Sequence, residues 1–113
     1  MALIAMALPL APGQSEKWHA WIAELAGARR AEFVASRRAA GVRERTFLQP
    51  TPMGELVIVT LEGDDPLASF AQMVSADDEF TRWFVAHANE AHGMDLSQPM
   101  PEAPSTLLID SEG

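Results

Sequence analysis

The sequence contains no cysteine, which excludes disulfide bonds, thiolate nucleophiles and zinc sites built on cysteine. No apolar run approaches the roughly 20 residues that a helix needs to cross a bilayer, so we expect no membrane association. Glycine-rich phosphate loops, nucleophile elbows and the His-Glu-x-x-His zinc motif are also missing from it. The lack of cysteine is consistent with a reducing compartment, and we expect a cytoplasmic protein.

Basic side chains are scarce and unevenly placed. The chain has 8 Lys and Arg against 16 Asp and Glu, a net charge of −8. Six of the eight lie in residues 29–45, where the local net charge is +4. An acidic chain repels phosphate backbones, which argues against nucleic-acid binding. The arginine cluster is typical of a solvated helix face with a few ion pairs, and an anion site is the alternative.

Apolar residues make up 48% of the 113 residues, enough for a single domain over residues 1–113 with one core. Residues 3–10 (LIAMALPL) predict a strand that is apolar on both faces. The same stretch resembles the apolar part of a secretory signal. However, no Lys or Arg precedes Lys17, so a buried strand is the better interpretation.

The remaining pattern predicts two helical regions and three further strands. Ser15 is expected to cap a helix that reaches Gly41. A helix of this length either bends at Gly27 or overhangs the sheet, and the polar residues on its inner stripe favour the overhang. Asp65 with Pro66, and then Asp77 with Asp78, are helix-start signals, and Gly93 is a stop signal. We expect the added strands at residues 42–49, 56–61 and 106–110.

The resulting order, βαββαβ, predicts an α+β fold of the ferredoxin-like type, with a four-stranded antiparallel sheet and helices on one face. In that topology the strands at residues 3–10 and 56–61 are central, yet both are apolar on the helix-free face as well. A second copy of the chain is the simplest cover for that face. The sequence therefore predicts a homodimer formed through the helix-free sheet face.

These features, with the segments EGDDP, ASF, SADDEFTRWF and HGMDL in residues 62–96, resemble the dimeric α+β barrel superfamily and a group of short bacterial proteins assigned to it. The superfamily includes cofactor-free monooxygenases, haem-degrading enzymes, isomerases, dehydratases and members that only bind, so the resemblance does not assign an activity. It implies a ligand pocket between the helices and the sheet.

His87 is the titratable side chain that most needs a chemical explanation, because it shares a predicted helix face with aromatic and small residues. That face comprises Phe80, Trp83, Phe84, His87, Ala88 and Ala91. Three roles stay open for His87: the general base of a cofactor-independent monooxygenase or isomerase, an axial haem ligand, or a core histidine. Binding of a small apolar or aromatic molecule without a cofactor is the favoured function.

The predicted ligand-binding residues, besides His87, are Trp18, Ile22, Phe80, Trp83, Phe84 and Arg45. No metal site is expected, because the acidic pairs at 64–65 and 77–78 stand at helix starts where carboxylates act as caps. His92 lies at a helix end, where a cationic cap is favoured by the helix dipole.

Overall fold

The computed structural model describes residues 1–96, 98 and 105–112. These residues form an α+β fold with a three-stranded antiparallel sheet and four helices. The elements in chain order are β1 (Ala2–Pro9), α1 (Ser15–Ala26), α2 (Arg30–Ala40), β2 (Val42–Thr51), β3 (Gly54–Gly63), α3 (Pro66–Ser75) and α4 (Glu79–His92). Among them, no helix is both long and apolar enough to cross a membrane.

Strand β3 is the centre of the sheet and pairs with both neighbours. Val59 lies opposite Met6 on β1 and opposite Thr46 on β2. Because side chains alternate along a strand, this register places Met6, Val57 and Leu61 on the side that carries the buried core. Helices α1, α3 and α4 cover that side through further buried residues, which are Trp18, Trp21, Met73, Ala88 and Ala91.

The opposite side of the sheet has no helix packed on it within the described residues. Phe47 on β2 is 53% exposed there, and Leu3 on β1 is also exposed. On the same side of the sheet, Leu56 and Ile58 of β3 are half-buried. The helix-free face therefore has an apolar middle strand flanked by exposed apolar side chains.

The predicted single helix from Ser15 to Gly41 is two helices, and the expected overhang is wrong. Gly27 ends α1 with φ −110° and ψ −97°, a conformation that breaks the helical path. Ser15 does not cap α1 either. It is the first helical residue, and its hydroxyl donates to the Glu55 carboxylate instead.

The other helix boundaries follow the predicted signals. Asp65 Oδ1 accepts from Ala68 N at 3.2 Å, and Asp78 Oδ1 accepts from Thr81 N at 2.7 Å. These bonds satisfy backbone donors that a first helical turn leaves free. Gly93 ends α4 in the left-handed conformation, as a C-terminal glycine should.

Residues 106–110 do not form the predicted fourth strand. As a result, β1 lies at the edge of the sheet rather than in the middle, because β3 is the one strand that pairs with β1 among the described residues. The pattern of residues 106–110 suits a strand, but a strand is stable only when its backbone groups pair and its apolar side chains are buried. Here the apolar side chains are exposed, Leu108 to 90%. The Ser105 hydroxyl, just before this segment, donates to the Ala5 carbonyl on β1.

Gly41, which follows α2, and Gly63, the last residue of β3, approach each other closely. Gly63 lies opposite Val42, the first residue of β2. A Cβ at position 63 would lie 2.5 Å from the Gly41 carbonyl oxygen, closer than a real Cβ contact. Position 63 therefore requires glycine if β2 is to start directly after α2.

Candidate functional site

A cavity of about 60 Å³ lies between the helices and the sheet, and we call it the inner cavity. Its walls are mostly apolar and include Leu8, Val57, Trp18, Ile22, Met73 and Phe84. Thr46, on the cavity side of edge strand β2, also lines it and is exposed, so the cavity opens toward that edge. A dry cavity of about 150 Å³ can hold benzene, so the inner cavity takes only part of such a molecule unless side chains move.

One ion pair lies in the cavity wall. Arg37 Nε donates to Glu44 Oε1 at 2.7 Å, and each side chain is 6% exposed. Arg37 Nη1 also donates to Ser36 Oγ at 2.9 Å. The two opposite charges cancel, so the wall contains a polar but electrically neutral group.

Two aromatic rings hold the Arg37 guanidinium. Its Cζ lies 4.8 Å from the Phe33 ring centroid and 4.5 Å from that of Phe84, both within the range of cation–π contacts. These contacts restrain the guanidinium while Glu44 and Ser36 fix its Nε and Nη1. The position of the remaining nitrogen, Nη2, is set as a result.

Two buried donors lack a hydrogen-bond partner in the part of the chain that the structure describes. They are Arg37 Nη2 and Trp21 Nε1. Both residues line the inner cavity, and the Phe84 ring contacts both, with its centroid 5.0 Å from that of Trp21. Unpaired buried donors are uncommon in folded proteins, which makes this pair a notable feature of the cavity.

His92 is the histidine that reaches the inner cavity. Its Nδ1 lies 3.0 Å from the Pro9 carbonyl oxygen; because a carbonyl only accepts, Nδ1 carries the proton. Burial lowers the pKa of His92, and the hydrogen bond to Pro9 opposes this in part. The neutral imidazole is therefore favoured, whereas a cationic helix cap was expected.

The structure places His87 outside the inner cavity. His87 is exposed and lines an outer groove between α1 and α4. Its ring stacks on Trp21 at 5.9 Å with planes 11° apart, and lies 5.3 Å from the Trp83 ring. A base role for His87 stays a prediction, and it would act in this outer groove rather than between helices and sheet.

The other predicted ligand-binding residues divide into three groups. Trp18, Ile22 and Phe84 line the inner cavity, and their ligand-binding role stays a prediction. Arg45 lies on the helix-free side of β2, where it pairs with Glu62 at 2.9 Å. Phe80 and Trp83 contact Arg29 instead.

Arg29 explains the position of those two rings. Its Cζ lies 4.3 Å from the Trp83 ring centroid and 5.3 Å from that of Phe80. Hydrogen bonds to Glu32 and Glu79 raise its pKa above the ordinary value. The arginine cluster therefore contains the expected ion pairs, but Arg37 is buried rather than solvated.

A polar cluster of Ser15, Glu55 and His19 lies on the surface near the start of α1. The Ser15 hydroxyl donates to the Glu55 carboxylate, and His19 Nε2 lies 3.3 Å from the same carboxylate. Both contacts lower the pKa of Glu55, and the contact with Ser15 has the larger effect. In a nucleophilic triad the imidazole contacts the hydroxyl, whereas here the carboxylate lies between them. Across the described residues, no group of three or more His, Asp or Glu side chains is placed to hold a metal ion.

No family model, curated protein or solved structure matches this chain. Its function must therefore be argued from the geometry of the cavity and its polar groups.

The sequence interpretation missed the three ionisable residues of the inner cavity, which are Arg37, Glu44 and His92. One signal for Arg37 was present, because Phe33 stands four residues before it and shares its helix face. For Glu44 the signal is its two-residue alternation with Val42, which places both on the cavity side of β2.

Proposed function

We propose that this protein binds a small apolar or aromatic molecule in the inner cavity. The observation that supports this is the composition of the walls, in which apolar side chains surround the Arg37–Glu44 pair, with His92 lining the cavity near the Pro9 end of β1. Such a combination is typical of small-molecule sites, where the apolar walls supply affinity and the polar groups orient the ligand.

Binding requires the inner cavity to widen, and its lining provides for this. Met6, Met73 and Met94 all contribute to the walls. Methionine has three rotatable side-chain bonds and adapts to irregular shapes at low cost. A ligand entering past exposed Thr46 displaces these side chains rather than the sheet.

The proposal includes a wider architecture, that of a cytoplasmic, dimeric α+β barrel protein. The strand order β1-β3-β2, with β3 antiparallel to both neighbours, supports three of the four strands of a ferredoxin-like sheet, in which the fourth place would be the free edge of β1. The Ser105 hydroxyl contacts the Ala5 carbonyl, so residue 105 lies beside that edge, although residues 106–110 do not pair with it. A second copy would cover the helix-free face that exposes Phe47.

Methionine-methyl NMR during titration with ethylbenzene tests the binding function. We expect the methyl resonances of Met6, Met73 and Met94 to shift, because these side chains line the inner cavity. Met53 is 98% exposed in the β2–β3 turn and should not respond. Equal shifts for all four, or none at saturating ethylbenzene, would show that the cavity is not a binding site.

A matched pair of variants locates the site. Ala88 lines the inner cavity, whereas Ala86 lies on the exposed side of the same helix. Ala88→Val fills part of the cavity and should weaken ethylbenzene binding several-fold, while Ala86→Val should leave it as it is. Equal weakening by the two variants would place the site elsewhere.

A further inference from the structure

The two unpaired donors point to the kind of ligand that the inner cavity takes, on the basis of the binding function proposed above. Glu44 accepts from Arg37 Nε and Ser36 accepts from Arg37 Nη1, which leaves both hydrogens of Nη2 without an acceptor among the described residues. A buried donor in that state loses its hydration without compensation. An acceptor oxygen supplied by a ligand would restore the lost bond.

The charge of that oxygen follows from the ion pair. Arg37 and Glu44 already neutralise each other within a wall that is otherwise largely apolar. A carboxylate ligand would bring a second negative charge close to Glu44, and a buried charge without its own partner is strongly disfavoured. A neutral acceptor gains the hydrogen bond without that cost.

We propose that the inner cavity recognises a small apolar or aromatic molecule through a neutral carbonyl oxygen, which accepts a hydrogen bond from Arg37 Nη2. Trp21, which carries the second unpaired donor, also lines the inner cavity. The rings of Phe33 and Phe84 orient the guanidinium, and their contacts make Arg37 a fixed donor rather than a mobile one.

The ligand reaches Nη2 only after a side chain moves. Both unpaired nitrogens have almost no exposed surface, so neighbouring atoms cover them in the empty protein. The flexible methionines of the cavity wall are the side chains best suited to move, as the binding function itself requires. Carbonyl recognition and cavity widening therefore occur together.

Three probes of similar size test this inference on the wild-type protein. Acetophenone has a neutral carbonyl, ethylbenzene has no acceptor, and benzoate has a negative charge. The hydrogen bond from the charged Arg37 guanidinium to the carbonyl oxygen adds to the binding affinity. Acetophenone should therefore bind about tenfold or more tightly than ethylbenzene. Benzoate should bind more weakly than acetophenone, because its charge meets Glu44.

The outcomes separate this inference from the binding function. If ethylbenzene and acetophenone bind the cavity with equal affinity, the binding function stands and carbonyl recognition is overturned. If benzoate binds tightest, the site takes anions and the charge argument fails. If none of the three shifts the cavity methionines, both proposals are lost.

Two variants assign the donors. Arg37→Leu combined with Glu44→Leu removes the ion pair as a unit, which avoids a lone buried charge. In that double variant the ratio of acetophenone to ethylbenzene affinity should fall to about one. Trp21→Phe retains a ring but removes the Nε1 donor, and should lower the ratio by about twofold to tenfold. A ratio unchanged in both variants would overturn the assignment.

Discussion

His92 is half-buried at the point where the end of α4 meets the end of β1. Its Nδ1 donates to the Pro9 carbonyl at 3.0 Å, and nearby Ala11 N donates to the Ala91 carbonyl at 2.8 Å. Burial disfavours the charged imidazole, which is why the pKa of His92 lies below the ordinary value of 6.5. Protonation of His92 therefore works against this junction.

Lowering the pH should destabilise the protein through His92. A histidine with a lowered pKa in the folded state takes up its proton more readily after unfolding. Its contribution to stability is thus complete above pH 6.5 and declines as the pH falls below that value. Urea denaturation at several pH values between about 5.5 and 8 measures the decline, since most carboxylates stay ionised in that range.

His92→Gln is the matched variant for this measurement. A glutamine does not titrate, so the stability of His92→Gln should vary less with pH than that of the wild type. His19→Gln is the control, because it makes the same substitution at an exposed histidine outside this junction. If His92→Gln and the wild type have the same pH dependence, His92 is not the titrating group.

Single residues show which part of the site the sequence could predict. Helical periodicity shows which face is apolar, and Trp18, Ile22 and Phe84 line the inner cavity, while their ligand-binding role stays a prediction. His87 was predicted near the middle of the aromatic face of α4, but in the structure it is exposed where α4 borders α1 rather than the sheet. Arg37 was taken as solvated, because periodicity cannot show that a guanidinium has a buried carboxylate and two rings to contact.

At the scale of the elements, the start of α4 depends on one carboxylate. Asp78 accepts hydrogen bonds from the Thr81 backbone at 2.7 Å and the Thr81 hydroxyl at 3.0 Å. The backbone bond, chiefly, lowers the pKa of Asp78. Its neighbour Asp77 makes only an exposed ion pair with Arg82.

Asp78→Ala should lower the free energy of unfolding by about 1 kcal/mol, a typical cost for the loss of an N-cap. Asp77→Ala should change it much less, because exposed ion pairs contribute little. Urea denaturation of both variants measures the difference. Equal losses would indicate that local charge, rather than the cap geometry, stabilises α4.

The helix boundaries were largely predictable, since caps and C-terminal glycines are local signals that act within one turn. The break between α1 and α2 was a harder case. Its polar residues Arg29 and Glu32 suggested that one long helix leaves the sheet. In the structure the chain bends there, so that α2 returns to the sheet and Arg37 reaches Glu44 on β2.

At the scale of the whole molecule, the helix-free face is the surface most in need of a partner. Phe47, Leu3 and Ile58 give it an apolar character, while Arg45 and Glu62 form a charged pair on the same side. A two-fold contact through this face would bury on the order of 1,500–2,000 Å², the size of a stable interface.

Analytical ultracentrifugation at micromolar concentration should show the wild type as a dimer and Phe47→Glu as a monomer, because the new carboxylate would be buried without a partner in the interface. Met53→Glu is the control, since Met53 is equally apolar but lies in the β2–β3 turn. It should remain dimeric. A monomeric wild type would remove the homodimer proposal.

The sheet shows the limit of what the sequence could predict at this scale. Apolar runs identified two strands of the sheet and alternation identified the one at residues 42–49, but neither pattern can specify which strand lies beside which. Residues 106–110 have the composition of a strand, yet their state depends on a partner edge far away in the chain. The three-stranded sheet is therefore the part of the fold that the described residues establish.

The close approach of Gly63 to Gly41 links the fold to the candidate site. Glu44 lies two residues after Val42, the residue opposite Gly63, so the depth at which its carboxylate enters the cavity depends on how tightly β2 starts against β3. Any side chain at position 63 would clash with the Gly41 carbonyl and separate the start of β2 from the end of β3. It would tilt the beginning of β2 outward and draw Glu44 away from Arg37, so a position outside the lining of the inner cavity adjusts the depth and polarity of that cavity.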